Sequence, residues 1–229
     1  SGQYTLAELT SLCNELTDQL NALSDSLDRD SDGLADMGKD LQDRARATMF
    51  SLGTSYPELS GYYPQPKGLL FPAFLSVQNL SGIYSPFTIE ANYNSAMVSY
   101  NLPFTICHEL SHLRGFMQEE EANFIGFLAC VNADDTAFNY SGYLLGWIYA
   151  TNELYEVDYD TFEEIYNRLS DNVKADLSAN SSFWKRYDSK VAEVSGQIND
   201  HYLKANGQSD GIKSYDRMVD LMITWFRSK

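Results

Sequence analysis

The segment Cys107-His108-Glu109-Leu110-Ser111-His112-Leu113 carries two histidines four residues apart, with a glutamate directly after the first. On a helix, residues four apart stand one turn above the other, so both imidazoles reach a single metal ion. Glu109 lies beside the first ligand, where its carboxylate takes the proton of a water whose acidity the metal raises. The spacing H-E-x-x-H thus predicts His108 and His112 as ligands and Glu109 as general base. The same letters also arise by chance, as two ordinary histidines around an exposed glutamate. Context argues against chance here: the chain has only 3 histidines, and Leu102, Phe104, Ile106, Leu110 and Leu113 predict a largely buried helix. Imidazoles and a carboxylate are costly to bury uncompensated, and a metal compensates them. Zinc is the expected cofactor.

A catalytic zinc takes three protein ligands and leaves one position open. Gly115 suits a left-handed end to the motif helix, and Gln118-Glu119-Glu120-Glu121-Ala122-Asn123 then opens another. Glu119, Asn123, Gly126 and Cys130 share one small or polar face of that second helix, and Gly126 permits close approach to the first. Glu119 is the preferred third ligand. Glu121, which starts the stripe Ile125, Leu128 and Asn132, is the alternative, and Glu120 comes after it. The acids not used as ligands suit a helix N-terminus electrostatically. Gln118 occupies the place of the third histidine in H-E-x-x-H-x-x-G-x-x-H enzymes, and a neutral Gln is a poor zinc ligand, so that class is disfavoured.

The elements that must position these groups follow from periodicity. Leu6, Leu9, Leu12, Cys13, Leu16, Leu20, Leu23 and Leu27 recur at threes and fours, which predicts a long amphipathic helix from Tyr4 to about Asp28. Asp28-Arg29-Asp30-Ser31-Asp32-Gly33 interrupts it, and a second helical pattern runs from about Lys39 to Leu52. Residues 1–52 therefore read as a helical hairpin packed on the core, and 53–229 as the domain that bears the site, the whole forming one compact unit. Prolines 57, 64, 66, 72 and 86 exclude long helices between 53 and 102. There Thr88 to Asn94 alternates as a half-exposed strand, with Ile89, Ala91 and Tyr93 on one side. Pro103 suits a first helical turn and Asn101 its cap. From Pro103 on, the pattern is helical almost to the end. The expected fold class is α+β, mainly helical, with a small sheet just before the motif helix.

Composition narrows the function classes. The chain has 229 residues, 44% of them hydrophobic and 14% aromatic, enough for one sizeable core. A net charge of -16 repels a phosphate backbone, so nucleic acid is not an expected partner. Cys13, Cys107 and Cys130 are odd in number and lack metal spacing, which predicts buried thiols rather than a disulfide framework. No apolar run reaches the roughly 18 residues of a spanning helix. Asp28, Asp30, Asp32 and Gly33 look like the opening of a calcium loop, but the twelfth position is Lys39 where an acid is required, so a capped turn is the preferred reading.

The run H-E-L-S-H-L-R-G-F-M-Q-E-E-E-A-N-F resembles the gluzincin pattern of zincin metallopeptidases, in which H-E-x-x-H is followed on a second helix by E-x-x-A-D/N. Residue by residue, the resemblance puts Glu119 at the ligand position and Asn123 at the partner that orients a zinc-bound histidine. The spacing here is shorter than is usual in that clan. A closer resemblance, over roughly residues 60 to 226, is to the bacterial family catalogued as domain of unknown function 3810. Gly82 to Asn92, the zinc motif, Tyr140-Ser141-Gly142-Tyr143, Tyr202-Leu203-Lys204 and Ser214-Tyr215 carry it. Membership implies a zincin-like domain outside the membrane, anchored through helices that lie beyond this chain.

Two catalytic parts remain. Zincin peptidases hold an extended substrate against an edge strand, and Thr88 to Asn94 is the candidate. The oxyanion needs a donor. Tyr215 is preferred, since Ser214-Tyr215 matches the family segment and follows the loop from Asn206 to Gly211, with Tyr202 and His201 as alternatives. The expected function is zinc-dependent hydrolysis of peptide bonds in a peptide or protein substrate. A zincin scaffold that only binds, and a zinc hydrolase of another amide or ester, are the competing readings.

Overall fold

The computed structural model describes residues 4–68, 82–85, 90–194 and 214–229. Thr5 opens the first helix, α1 (Leu6–Ser24), with a capping box: its hydroxyl accepts from the Glu8 amide, and the Glu8 carboxylate accepts from the Thr5 amide. The face that repeats at threes and fours is buried at Leu9, Leu12, Cys13, Leu16 and Leu20. It lies along α5 (Thr136–Val157).

The helix stops short of Asp28 because the next residues form a tight turn. Asp30 Oδ1 accepts the amides of Asp32 and Leu34, both at 2.9 Å, Gly33 takes φ +76°, and Arg29 bridges Ala35. The turn is self-capped: Asp30 serves its own backbone.

Helix α2 (Leu41–Ser55) packs against the motif helix rather than chiefly along α1, so the two N-terminal helices rest on different parts of the core instead of forming a hairpin on each other. One apolar core runs from Leu9 to Ile223, and the boundary drawn at residue 53 does not interrupt it.

A short 3₁₀ turn (Pro57–Leu59) leads to three strands, β1 (Lys67–Gly68), β2 (Gly82–Ser85) and β3 (Glu90–Tyr93), in the order β1-β3-β2. β1 is parallel to β3, and β2 antiparallel to it. The expected alternation holds at Ala91 and Tyr93, both buried, but fails at Asn94, which is fully buried and turns its carboxamide oxygen to the Ala96 amide. The strand expected to be a free edge is instead paired on both sides. The free edges among the described strands belong to β1 and β2.

The sheet packs on α3 (Asn101–His112), which carries the histidine motif. Asn101 is its first residue rather than its cap. The cap position is Tyr100, and Pro103 falls in the first turn as its fixed φ allows. The unpaired Phe104 amide at this end donates to the Ser141 hydroxyl at 3.1 Å, and that hydroxyl donates to the Tyr100 carbonyl. Gly142 lets α5 come so close to α4 (Glu119–Val131) that an added Cβ would stand 2.6 Å from the Cys130 Cβ. The 140–143 segment thus buttresses the motif helix. Helices α6 (Tyr159–Asn167), α7 (Asp171–Val194) and α8 (Ser214–Arg227) complete the described structure, which is mainly helical with a small sheet. All three cysteines are free and buried. No described helix is long and apolar enough to cross a membrane.

Candidate metal centre

Helix α3 ends at His112, and the chain turns through Gly115 at φ +90°, a backbone region that glycine enters without strain. Four residues after that glycine, α4 begins with Glu119. Gly126 sits where α4 crosses α3, and a Cβ there would stand 3.2 Å from the Phe104 carbonyl oxygen and 3.3 Å from the His108 amide. A small residue at this crossing brings the first turn of α4 over the last turn of α3.

The result is a convergence of three donors. His108 Nε2 and His112 Nε2 are 3.2 Å apart, Glu119 Oε2 is 3.2 Å from His108 Nε2, and Glu119 Oε1 is 3.7 Å from His112 Nε2. Tetrahedral zinc with bonds of about 2.0–2.1 Å separates its donors by roughly 3.3–3.4 Å, so these separations suit one small ion. Among the described residues, this is the one group of three His, Cys, Asp or Glu side chains able to hold a metal.

Both imidazoles are buried, and each is oriented from behind. His112 Nδ1 donates to the Phe116 carbonyl at 2.6 Å, which leaves Nε2 as the lone-pair nitrogen facing the site. Asn123, one turn along α4 from Glu119, lies close enough to His108 to help raise its pKa. The Phe116 carbonyl has no signature in residue types, since any residue would supply it. Gly115, which shapes the turn that delivers it, is the nearest sequence signal.

The charges of this cluster act on one another. Burial alone would depress His108, but the Glu119 hydrogen bond and the charges of Glu109 and Glu119 outweigh it, so its pKa is raised. His112 is lowered, by burial and by the charge of His108. Burial would raise Glu119, yet the hydrogen bond and charge of His108 hold it below its ordinary value.

Glu109 is 4% exposed, and its Oε1 lies 4.0 Å from His108 Nε2. Its Oε2 is buried, with no hydrogen-bond partner among the described residues. Burial pushes its pKa up to about 7, against the opposing pull of His108 and with a further push from Glu119. A carboxyl group poised near neutrality beside a metal site is suited to accept and return a proton.

The alternative third ligand is engaged elsewhere. Glu121 Oε1 pairs with Arg217 Nη2 at 2.6 Å, and Arg217 Nη1 donates to Gln118 Oε1 at 2.7 Å. Periodicity could not separate Glu119 from Glu121, because the residue that decides between them lies 96 positions away. Glu120 is not drawn into the donor cluster. The same arginine brings the first turns of α8 beside the N-terminus of α4. Tyr215 lies in that turn, though its side chain is outside the described residues, as are His201 and Tyr202 altogether.

The sequence profile of a family described as protein of unknown function (DUF3810) matches residues 1–223. No curated protein and no solved structure matches the chain.

Proposed function

We propose that this chain, which belongs to the DUF3810 family, is a zincin-like, zinc-dependent hydrolase of peptide bonds. The observation that carries the reading is the pairing of a three-donor cluster with a buried carboxylate beside it, one oxygen of which has no hydrogen-bond partner among the described residues. Two imidazoles and one carboxylate are the donor set of His₂Glu catalytic zinc sites. His108, His112 and Glu119 would hold the ion, and Asn123 and the Phe116 carbonyl would fix the two rings. When bound, zinc supplies Lewis acidity to a water and to the scissile carbonyl.

The remaining chemistry belongs to the chain. Glu109 takes the proton of the attacking water on its free oxygen and returns it to the leaving nitrogen, a cycle that a pKa near neutrality favours. Tyr215, from the turn of α8 that Arg217 anchors beside the site, is our candidate donor to the developing oxyanion. An extended peptide or protein substrate would add to the edge of β1 or β2 rather than to β3, which is paired on both sides. Family resemblance further supports placement outside the membrane, with the anchor in segments beyond this chain.

A scaffold that only bound metal would have no use for Glu109, whose burial without a partner costs stability. The test joins metal content to turnover. Wild type should hold about one zinc per chain, and His108→Ala, His112→Ala or Glu119→Gln should lose most of it, whereas Glu121→Gln should retain it. Glu109→Gln should keep zinc but lose about 10²–10⁴-fold in cleavage of a diverse peptide library. Unchanged zinc in both histidine variants would remove the basis of the reading. Full activity of a zinc-loaded Glu109→Gln would exclude Glu109 as the base.

A further inference from the structure

A second surface feature takes no part in the metal centre. Asp158, at φ -153° and ψ 83°, breaks the chain between α5 and α6 and caps α6, accepting from the Thr161 amide at 3.1 Å and its hydroxyl at 2.7 Å. The break folds the last turn of α5 onto the first of α6. Tyr155 then meets Tyr159 and Phe162 edge to face, with ring centroids 5.3 and 5.2 Å apart, and Phe162 continues to Tyr166 at 6.1 Å. Buried Ile165 ties this helix to the core from its other side.

The rings are not covered. Tyr155 is 49% exposed, Tyr159 51% and the adjoining Val157 64%. Such a cluster of ordered aromatics has the composition of an interface centre. The charged residues beside Tyr155, Tyr159 and Phe162 are acidic: Glu156, Asp160, Glu163 and Glu164 are all exposed, and among the described residues none pairs with a cation. At the far end the molecule already fills one such position itself, with Lys174 Nζ 5.7 Å over the Tyr166 ring.

We propose that this aromatic stripe is a docking surface for a basic segment of a partner protein. Lysine and arginine side chains would lie on the faces of Tyr155 and Tyr159, where Lys174 already lies on Tyr166, and would pair with the acidic rim. The rim argues against the other occupants. A second copy would bring the same acids and a net charge of -16 face to face, and an anionic lipid surface would be repelled. The inference does not depend on the identity or activity of the metal centre.

The test uses the full chain and a fluorescent synthetic peptide of Arg-Leu-Lys repeats, with a Glu-Leu-Glu counterpart as control, followed by anisotropy. The basic peptide should bind and the acidic one should not. Tyr155→Ser/Tyr159→Ser and, separately, Glu163→Lys/Glu164→Lys should each weaken binding by about tenfold or more, an effect of roughly 1.4 kcal/mol. Asp32→Lys/Glu58→Lys, at exposed acids elsewhere, changes net charge equally and should leave binding within about twofold. Equal weakening by both charge reversals would reduce the effect to net charge and overturn the proposal, as would no binding at all. Self-association abolished by the tyrosine changes would reassign the surface to a second copy. Binding to phosphatidylcholine vesicles abolished by them would reassign it to lipid. If the tyrosine variant fails to fold, by circular dichroism, the pair of charge reversals decides alone.

Discussion

Asp176 and Glu109 are both carboxylates that the fold removes from water, at 0% and 4% exposure, yet they are surrounded in opposite ways. Asp176 Oδ1 accepts from Arg29 Nη1 at 3.0 Å and from the Ala35 amide at 2.9 Å. Its Oδ2 accepts from the same guanidinium at 2.8 Å and from the Tyr140 hydroxyl at 2.5 Å. The charge is compensated on every side, and the group ties the Asp28–Gly33 turn, α5 and α7 together. Among the described residues, Glu109 has one oxygen without a partner and no closer cation than His108 at 4.0 Å. A buried charge with all its partners serves architecture, whereas one without them costs stability and is retained where it acts on something.

The largest effect that would test this contrast comes from the compensated side. Asp176→Ala leaves Arg29, the Tyr140 hydroxyl and the Ala35 amide without their acceptor, and should destabilise the protein by about 3–5 kcal/mol in urea unfolding. A loss below about 1 kcal/mol would show that the network contributes little, and the contrast would collapse. Tyr140→Phe removes one donor and should cost about 1.5–3 kcal/mol, the range for hydrogen bonds to charged groups. Neither substitution touches a zinc donor, so metal content per folded chain should stay at the wild-type level by elemental analysis. The hydroxyl of Tyr140 at work on a carboxylate 36 residues away also gives a physical role to the Tyr140-Ser141-Gly142 segment.

The two sites were unequally legible. His108, Glu109 and His112 could be read because helical spacing alone brings them to one face. Gly126 could be read as a close approach because small residues on a helix face have few other uses. Asp28-Arg29-Asp30-Ser31-Asp32-Gly33 reads as a capped turn with a cation loop as the alternative, since alternate acids with a glycine suit both. Its docking through Arg29 and Ala35 on Asp176, more than 140 positions away, leaves no local signal. β3 was misread as an edge for the same reason: its neighbour β1 is only two residues long, too short to leave an alternating pattern. Local periodicity reports faces. It does not report which distant group meets them.

A smaller effect is expected at the helix crossing. Gly126→Ala places a methyl 3.2–3.4 Å from the Phe104 carbonyl and from His108 N and Cβ, which forces the helices apart by a few tenths of an ångström. Stability should fall by about 1 kcal/mol, at the low end for overpacking. Because His108 rides on the displaced backbone, zinc affinity should fall in competition with a chelator by about tenfold, as second-sphere disturbances do. Wild-type affinity in Gly126→Ala would mean that the crossing distance does not set the donor geometry.

The smallest effect in free energy is the one with the opposite sign. In metal-free protein, Glu109→Gln exchanges a buried carboxylate for a neutral group of the same shape. The folded pKa of Glu109, about 7, lies above its ordinary 4.5, so between these values the folded state holds more protons than the unfolded state. Wild-type stability must therefore fall as pH rises through that window and level off above it. Glutamine has no such dependence. Below about pH 4, where both side chains are neutral in the folded and the unfolded state, the two proteins should be about equally stable. At pH 8 the glutamine variant should be more stable by about 1 kcal/mol, less than the whole cost of the charge because a buried amide also lacks a partner. His108, raised partly by Glu109, loses some of that support in the variant, which reduces the gain without reversing it. Urea unfolding of both chelator-treated proteins across this range is the measurement. A variant less stable than wild type at pH 8 would mean that Glu109 is compensated in its site as Asp176 is, and the asymmetry on which its assignment as a base rests would be gone.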